Sequence, residues 1–345
     1  MKSYKDKQLL FGLLFLGLSA GFLGRGFEHI HFTFPATNDL NQAAAVIATQ
    51  QNLVPSLPTP TSITIGMVGD IMLDRGVKFK VNKNLGGDYA KLFANASFLK
   101  DTDITFANLE GPVSDVGADR HNLYSFRMDP KIVPVLKDAG VDVVSSANNH
   151  IKDWGEPALI DTLERLRAGG IQTCGIGMNK AEAETPAIFT KGDRTVGFLC
   201  FTDVGPDDGA ATDTKAGVLL ANDPDFDTIV HTASTKVDAL IVSFHFGVEY
   251  QTKHNARQEA LAQKAIDDGA VMIVGAHPHV AEDIAAYNGA PILYSLGNFI
   301  FDQPFSSNTT HGLYVTATLT GKSVTDVTPH ETVLDSNYAP SLSLK

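Results

Sequence analysis

Val271-Met272-Ile273-Val274-Gly275-Ala276-His277-Pro278-His279 is the stretch that decides how this chain reads. Four apolar residues, three of them β-branched, describe a short buried strand. Two small residues and a His-Pro-His follow. Pro278 pushes His277 toward an extended conformation, and residues two apart on an extended segment face the same way, so His277 and His279 are expected to point at one centre. Four other apolar runs lead into a metal-ligand type in the same manner. Residues 63–68 lead into Gly69-Asp70, 104–107 into Asn108-Leu109-Glu110, 141–145 toward Asn148-Asn149-His150, and 239–244 into His245. Parallel strands share a direction, so these ends are expected on one rim of one sheet, where open α/β proteins place their ligand sites.

Each element alone has a commoner structural reading. Gly-Asp after a strand is usually a turn with a capping Asp, and a His behind four apolar residues is usually a satisfied core side chain. The convergence carries the argument, because neutral imidazoles with carboxylate and amide oxygens suit one or two divalent ions such as manganese, iron or zinc. Arg75 and Arg127 are candidates for clamping a substrate carboxylate or phosphate. Glu249 and Tyr250 read equally well as substrate-orienting or structural residues. Asp153 reads as a loop or helix cap, and Asn298 and Asp302 as parts of the site wall.

Between the strands, residues 89–99, 130–139, 156–167, 225–235 and 255–268 carry apolar side chains at helical spacing, and 196–201 is a further strand. The last third turns to strands with short connections at 283–287, 291–295, 312–320 and 324–333, so an antiparallel layer is expected to close a layered α/β domain spanning 62–335. Residues 336–345 read as a frayed tail. Ahead of the domain, Lys2, Lys5 and Lys7 precede an apolar run from Leu9 to Gly24, the pattern of an export signal or uncleaved membrane anchor over residues 1–25. A flexible Ala-, Gln-, Asn-, Thr- and Pro-rich linker occupies 26–61. The domain is therefore expected on the extracytoplasmic side of the cell membrane, or secreted if the signal is cleaved.

The 345 residues carry 27 basic and 39 acidic side chains, a net charge of −12 that argues against a nucleic-acid partner. Cys174 and Cys200 are too few for a disulfide framework and read as buried strand residues, with one bridge open to them if their Cα atoms approach.

Together, Gly69-Asp70-Ile71-Met72 with Arg75, Asn108-Leu109-Glu110, Ala147-Asn148-Asn149-His150, His245 with Gly247, Glu249 and Tyr250, Gly275-Ala276-His277-Pro278-His279, and Ser295-Leu296-Gly297-Asn298 through Gln303 resemble the bacterial CapA family of capsule-synthesis proteins. That family is associated with poly-gamma-glutamate capsules and is similar to calcineurin-like metallophosphoesterases. The resemblance implies a layered α-β-β-α sandwich. It implies Asp70 and His279 at a first metal position, Glu110 bridging, and Asn149, His245 and His277 at a second. His150 would be the catalytic acid or an electrostatic group next to the reacting bond. Met72 departs from the phosphoesterase pattern, which places a histidine two residues beyond the first aspartate. Two readings of function follow. One is a metal-dependent hydrolase or transferase acting on an anionic polymer or phosphoester. The other is a non-catalytic assembly component that binds polymer or other capsule-synthesis membrane proteins.

Overall fold

Along Ser62–Ile71 the side chains of Ile63, Ile65 and Met67 enter one apolar cluster while Val68 enters another, the period of two expected of a strand covered on both faces, and a register shift after Asp70 turns Ile71 into the second cluster as well. The computed structural model describes residues 61–206 and 208–343. The expected signal or anchor at 1–25 and the linker at 26–61, up to its last residue, lie outside them. No helix among the described residues is long and apolar enough to cross a membrane.

Two sheets form the centre. In the first, β1 (Ser62–Ile71), β2 (Ile104–Leu109), β3 (Val143–Ser145) and β4 (Gln172–Cys174) run parallel. A small ribbon of β5 (Ile176–Gly177) and β8 (Gly217–Val218) stands apart. In the second sheet, β7 (Arg194–Thr202), β9 (Ala239–His245), β10 (Ala270–Ala276) and β12 (Ala290–Leu293) run parallel, with β6 (Ala187–Lys191) and β11 (Ile284–Tyr287) as antiparallel edges. β13 (Asn298–Ile300) pairs with the end of β1, and β14 (His311–Thr320), β15 (Ser323–Leu334) and β16 (Pro340–Leu342) extend the first sheet antiparallel from the other edge of β1.

The sheets pack face to face through Ile63, Ile65, Met67, Phe106 and Val143 on one side and Phe198, Ile241, Met272 and Val274 on the other. Of the helices, α1 (Arg75–Asn84), α2 (Ile132–Ala139) and the end of α3 (Gly155–Ala168) cover the outer face of the first sheet. The short α4 (Lys180–Ala183), with α5 (Phe226–Ser234) and α6 (Ala256–Asp267), covers the second, and α7 (Ser307–Thr310) is a single turn before β14. The α-β-β-α sandwich is as expected. Cys174 on β4 and Cys200 on β7 are disulfide-bonded across the two sheets, Cα to Cα 5.2 Å, and both are buried.

Four expectations change. The ligand-bearing strand ends belong to two sheets, not one. The late strands do not form one closing layer, because β11 and β12 complete the second sheet while β14, β15 and β16 extend the first. The helix expected at 89–99 is two short 3-10 turns, Tyr89–Phe93 and Ser97–Lys100, interrupted by Ala94-Asn95-Ala96. The tail expected to fray pairs with β15, Leu334 opposite Pro340.

Candidate metal centre

The two sheets bring their carboxyl ends to the same place. Asp70 pairs with Asn108 across β1 and β2, and the Asn108 side chain crosses the gap between the sheets. Its Nδ2 donates to Asp70 Oδ1 at 2.8 Å and lies 3.4 Å from His245 Nδ1 at the end of β9. On its other side His245 Nε2 is 2.9 Å from Asn149 Oδ1, and its ring centroid is 4.8 Å from that of His277. His279 sits 6.0 Å beyond, ring to ring. Its Nδ1 is 3.3 Å from Asp70 Oδ2 and 3.0 Å from Asn298 Oδ1, and its Nε2 is 3.8 Å from Glu110 Oε1. His150 Nε2 approaches the same Glu110 oxygen at 3.8 Å. All six expected metal ligands and His150 therefore gather at one centre.

The histidine pair converges for a reason other than the one expected. β10 ends at Ala276, and His277 and His279 adopt φ 103° and φ 59°, so neither is extended. Non-glycine residues in the left-handed region cost on the order of 1–3 kcal/mol each and persist where the surroundings over-determine them. The turn is held by Tyr250 N–H, which donates to Pro278 O at 2.8 Å. Gly275 lets the strand end approach its neighbour, since a Cβ there would lie 1.9 Å from Tyr294 O.

The donor set fits a divalent cation. Both oxygens of Glu110, Oδ2 of Asp70 and Nδ1 of His277 are buried without a hydrogen bond, a costly condition for polar atoms unless something charged meets them. Asp70, Glu110 and His279 offer ligand atoms within 4.8 Å of one another, and so do Glu249, His277 and His279. Burial drives the Glu110 carboxyl well above the usual range, against the pull of His279 and helped by Asp70, Glu249 and Asp153. Burial likewise holds His245 far below its ordinary value and, with repulsion from His279, brings His277 to about 3. Both are neutral imidazoles, the form that ligates metal. Burial opposes charge on His279 as well, but Glu110 and Asp70 outweigh it and raise that group to about 9.

His150 has its own support. Its Nδ1 meets Asp153 Oδ2 at 2.7 Å, which turns Nε2 toward the centre, and its ring stacks on Phe126 at 3.9 Å. Asp153 also accepts from Phe126 N at 2.8 Å and Asn122 Nδ2 at 2.7 Å. It orients the catalytic candidate and is not merely a cap. The sequence signal was its position three residues after His150. Asn108 and Asn298 are orienting residues that sequence reasoning left without a role, because the partners they hold are distant in the chain. Arg75 is held within the protein on one edge: its Nη2 and Nε bind Asp302 at 2.8 and 3.2 Å, it lies 5.0 Å over the Phe126 ring, and its side chain stays 32% exposed. It supports the aromatic platform under His150. The Arg127 guanidinium stacks 3.5 Å over Trp154. Beside the centre opens a cavity of about 620 Å³, lined by Asn149, His150, Glu249, Arg120 and Lys152 among others.

Such an arrangement can hold cations against an attacked phosphoryl or acyl centre and place an imidazole at the bond that breaks. Solved structures similar in outline include a phosphatase from Mycoplasma pneumoniae, 16% identical with TM-score 0.49 over 81% of this chain and 96% of that one. The calcineurin-like phosphoesterase YfkN of Bacillus subtilis is 17% identical with TM-score 0.48 over 79% and 91%. The PGA biosynthesis protein CapA of Bacillus subtilis is 36% identical over 246 residues, 70% of this chain and 64% of that protein. The capsule biosynthesis protein CapA of Bacillus anthracis is 36% identical over 253 residues, 70% and 60%. The chain thus spans somewhat under two thirds of the length of these relatives. Residues 64–303, which contain every candidate ligand described above, match the family described as "Bacterial capsule synthesis protein PGA_cap", and the chain belongs to that family.

Proposed function

We propose that this protein is an extracytoplasmic, membrane-anchored, metal-dependent hydrolase or transferase that acts on an anionic polymer or a phosphoester in capsule synthesis. The observation that carries the reading is the buried, unbonded Glu110 carboxylate facing both His279 and the Asp153-held His150. Manganese, iron or zinc ions bound there supply Lewis acidity toward a phosphoryl or carbonyl oxygen and lower the pKa of water. The chain's own residues do the rest. His150, with Nδ1–H given to Asp153, presents Nε2 to protonate the leaving oxygen or nitrogen, and Asp153 stabilises the imidazolium that donates. Asn108 and Asn298 fix the orientation of Asp70 and His279. On the cavity wall Arg120 is paired with Asp208 at 2.9 Å and Lys152 Nζ donates to Asp208 O at 3.0 Å, and the half-exposed Arg120 would exchange that partner for a carboxylate or phosphate of an extended anionic substrate.

Two features support the location. The disulfide between the sheets belongs to an oxidising compartment. The lysine-flanked apolar run at residues 9–24 has the pattern of an export signal, which also brings the domain to other capsule-synthesis membrane proteins.

The test is turnover by the full chain, loaded with Mn2+, against phosphoesters and poly-gamma-glutamate. His150→Ala should lose about 10²- to 10⁴-fold in kcat while its metal content by plasma mass spectrometry stays that of the wild type. A fully loaded wild type that turns over none of these substrates would sink the enzymatic reading and leave a binding component of capsule assembly.

A further inference from the structure

Strand β1 contributes one metal-ligating side chain to the centre, Asp70. Met72, two residues on and just past the end of β1, is fully buried in the apolar cluster under the first sheet, with its Sδ accepting from Asp74 N at 3.2 Å. On the β1 side the ion next to Asp70, Glu110 and His279 is therefore offered only two carboxylates and one imidazole. Most four- to six-coordinate divalent ions take more.

Glu249 stands beside that set, next to His277 and His279. It follows β9 on the loop that begins at His245, and the positive φ of 97° at Gly247 and of 66° at Tyr250 folds that loop over the His-Pro-His turn. The loop is tied down at both ends of the turn: Phe246 N–H donates to Ala276 O at 3.1 Å and Tyr250 N–H to Pro278 O at 2.8 Å. Its carboxylate lies with His277 and His279 in a group whose ligand atoms are within 4.8 Å of one another. His279 belongs to this group and also to the one with Asp70 and Glu110. The second, independent observation is that His277 Nδ1, 95% buried by its residue exposure of 5%, has no hydrogen-bond partner, and neither has either oxygen of the fully buried Glu110.

We propose that Glu249 is a metal ligand, joining His277 and His279 from the loop after β9 at a position that shares His279 with the group of Asp70 and Glu110. The inference rests on the reading that divalent ions occupy this centre. It assigns to Glu249 a direct role in binding the ion, not in orienting substrate.

Mn2+ binding to the full chain, followed by electron paramagnetic resonance titration and plasma mass spectrometry, tests it without reference to turnover. Wild type is expected to bind Mn2+ in two steps. Glu249→Gln should weaken one step at least tenfold and leave the other unchanged, and the visible absorption of the Co2+-loaded protein should shift as a ligand is lost. Restoration of the weakened step by Glu249→Asp would support ligation by the carboxylate. Two unchanged steps in Glu249→Gln would overturn the proposal, as would equal weakening of both, which is the signature of a distant charge. A wild type that binds two ions yet turns over no substrate would refute the enzymatic reading alone. A wild type that binds none would refute both.

Discussion

At the scale of single residues, the centre is defined by what its polar atoms lack and by what holds its acid. Both oxygens of Asp153 accept N–H donors, from Asn122 on one side and from Phe126 and His150 on the other. An amide cannot satisfy all of them. Asp153→Asn should lower kcat at least tenfold without changing metal content, and should cost about 1–3 kcal/mol of stability through the donor left unpaired; kinetics, mass spectrometry and thermal melts read the three effects separately. Glu282 is a different kind of buried acid. It lies against Gln258, whose Nε2 donates to Oε2 at 2.7 Å, and its Oε1 has no partner. Burial raises its pKa to about 7, against the Gln258 hydrogen bond and with help from Asp283. The folded state then keeps its proton at pH values where the unfolded chain has released it. This group therefore lowers stability as pH rises from about 4.5 through about 7. Glu282→Gln should remove that decline, with a gain of about 3 kcal/mol at pH 8 and little change at pH 4 in urea midpoints. An equal effect at both pH values would show that titration is not the cause.

At the scale of elements, strand ends do the positioning. β1 and β2 are locked so that Asp70 lies beside Asn108, and β9 and β10 so that His245 lies beside Ala276, one residue before the histidine turn. Gly275 is the close contact on which the β10 end depends. Gly275→Ala would drive a Cβ into Tyr294 O and the Phe246 ring. It should cost about 3 kcal/mol, an overpacking penalty, and weaken metal binding through the displaced His277 and His279, visible together in a melt and a Mn2+ titration. Much of this level was legible in the sequence. The apolar runs, the helical spacing between them, and the ligand types at strand ends all follow local periodicity and chemistry. The split helix at 89–99 was not legible, because apolar spacing alone does not distinguish an α-helix from two 3-10 turns packed on the same core.

At the scale of the whole molecule, two sheets must stay in register for the ligands of each to meet. The inter-sheet core does most of this through Phe106 and Phe198, stacked at 5.6 Å, and the disulfide adds a covalent tie between β4 and β7. The bridge closes a loop with a sequence separation of 26 residues. Cys174→Ala with Cys200→Ala should lower stability by about 3 kcal/mol in denaturant unfolding, while metal content and turnover under native conditions remain those of the wild type. Loss of the metal centre in that variant would show that the bridge, not the apolar core, holds the sheets in register.

The sequence by itself determined the class of fold and which Asp, Glu, Asn and His residues gather at the centre. Both are written in local patterns: alternation, helical spacing, and Asp, Glu, Asn and His placed directly after apolar runs. Only the tertiary structure decided that these ends come from two facing sheets, that His277 and His279 meet through left-handed backbone, that Arg75 is bound to Asp302, and that Asp153 belongs to His150. Those are contacts between residues far apart in the chain, or conformations imposed against local preference. A single sequence carries propensities for neighbours along the chain and no direct record of which distant side chain will be across the gap.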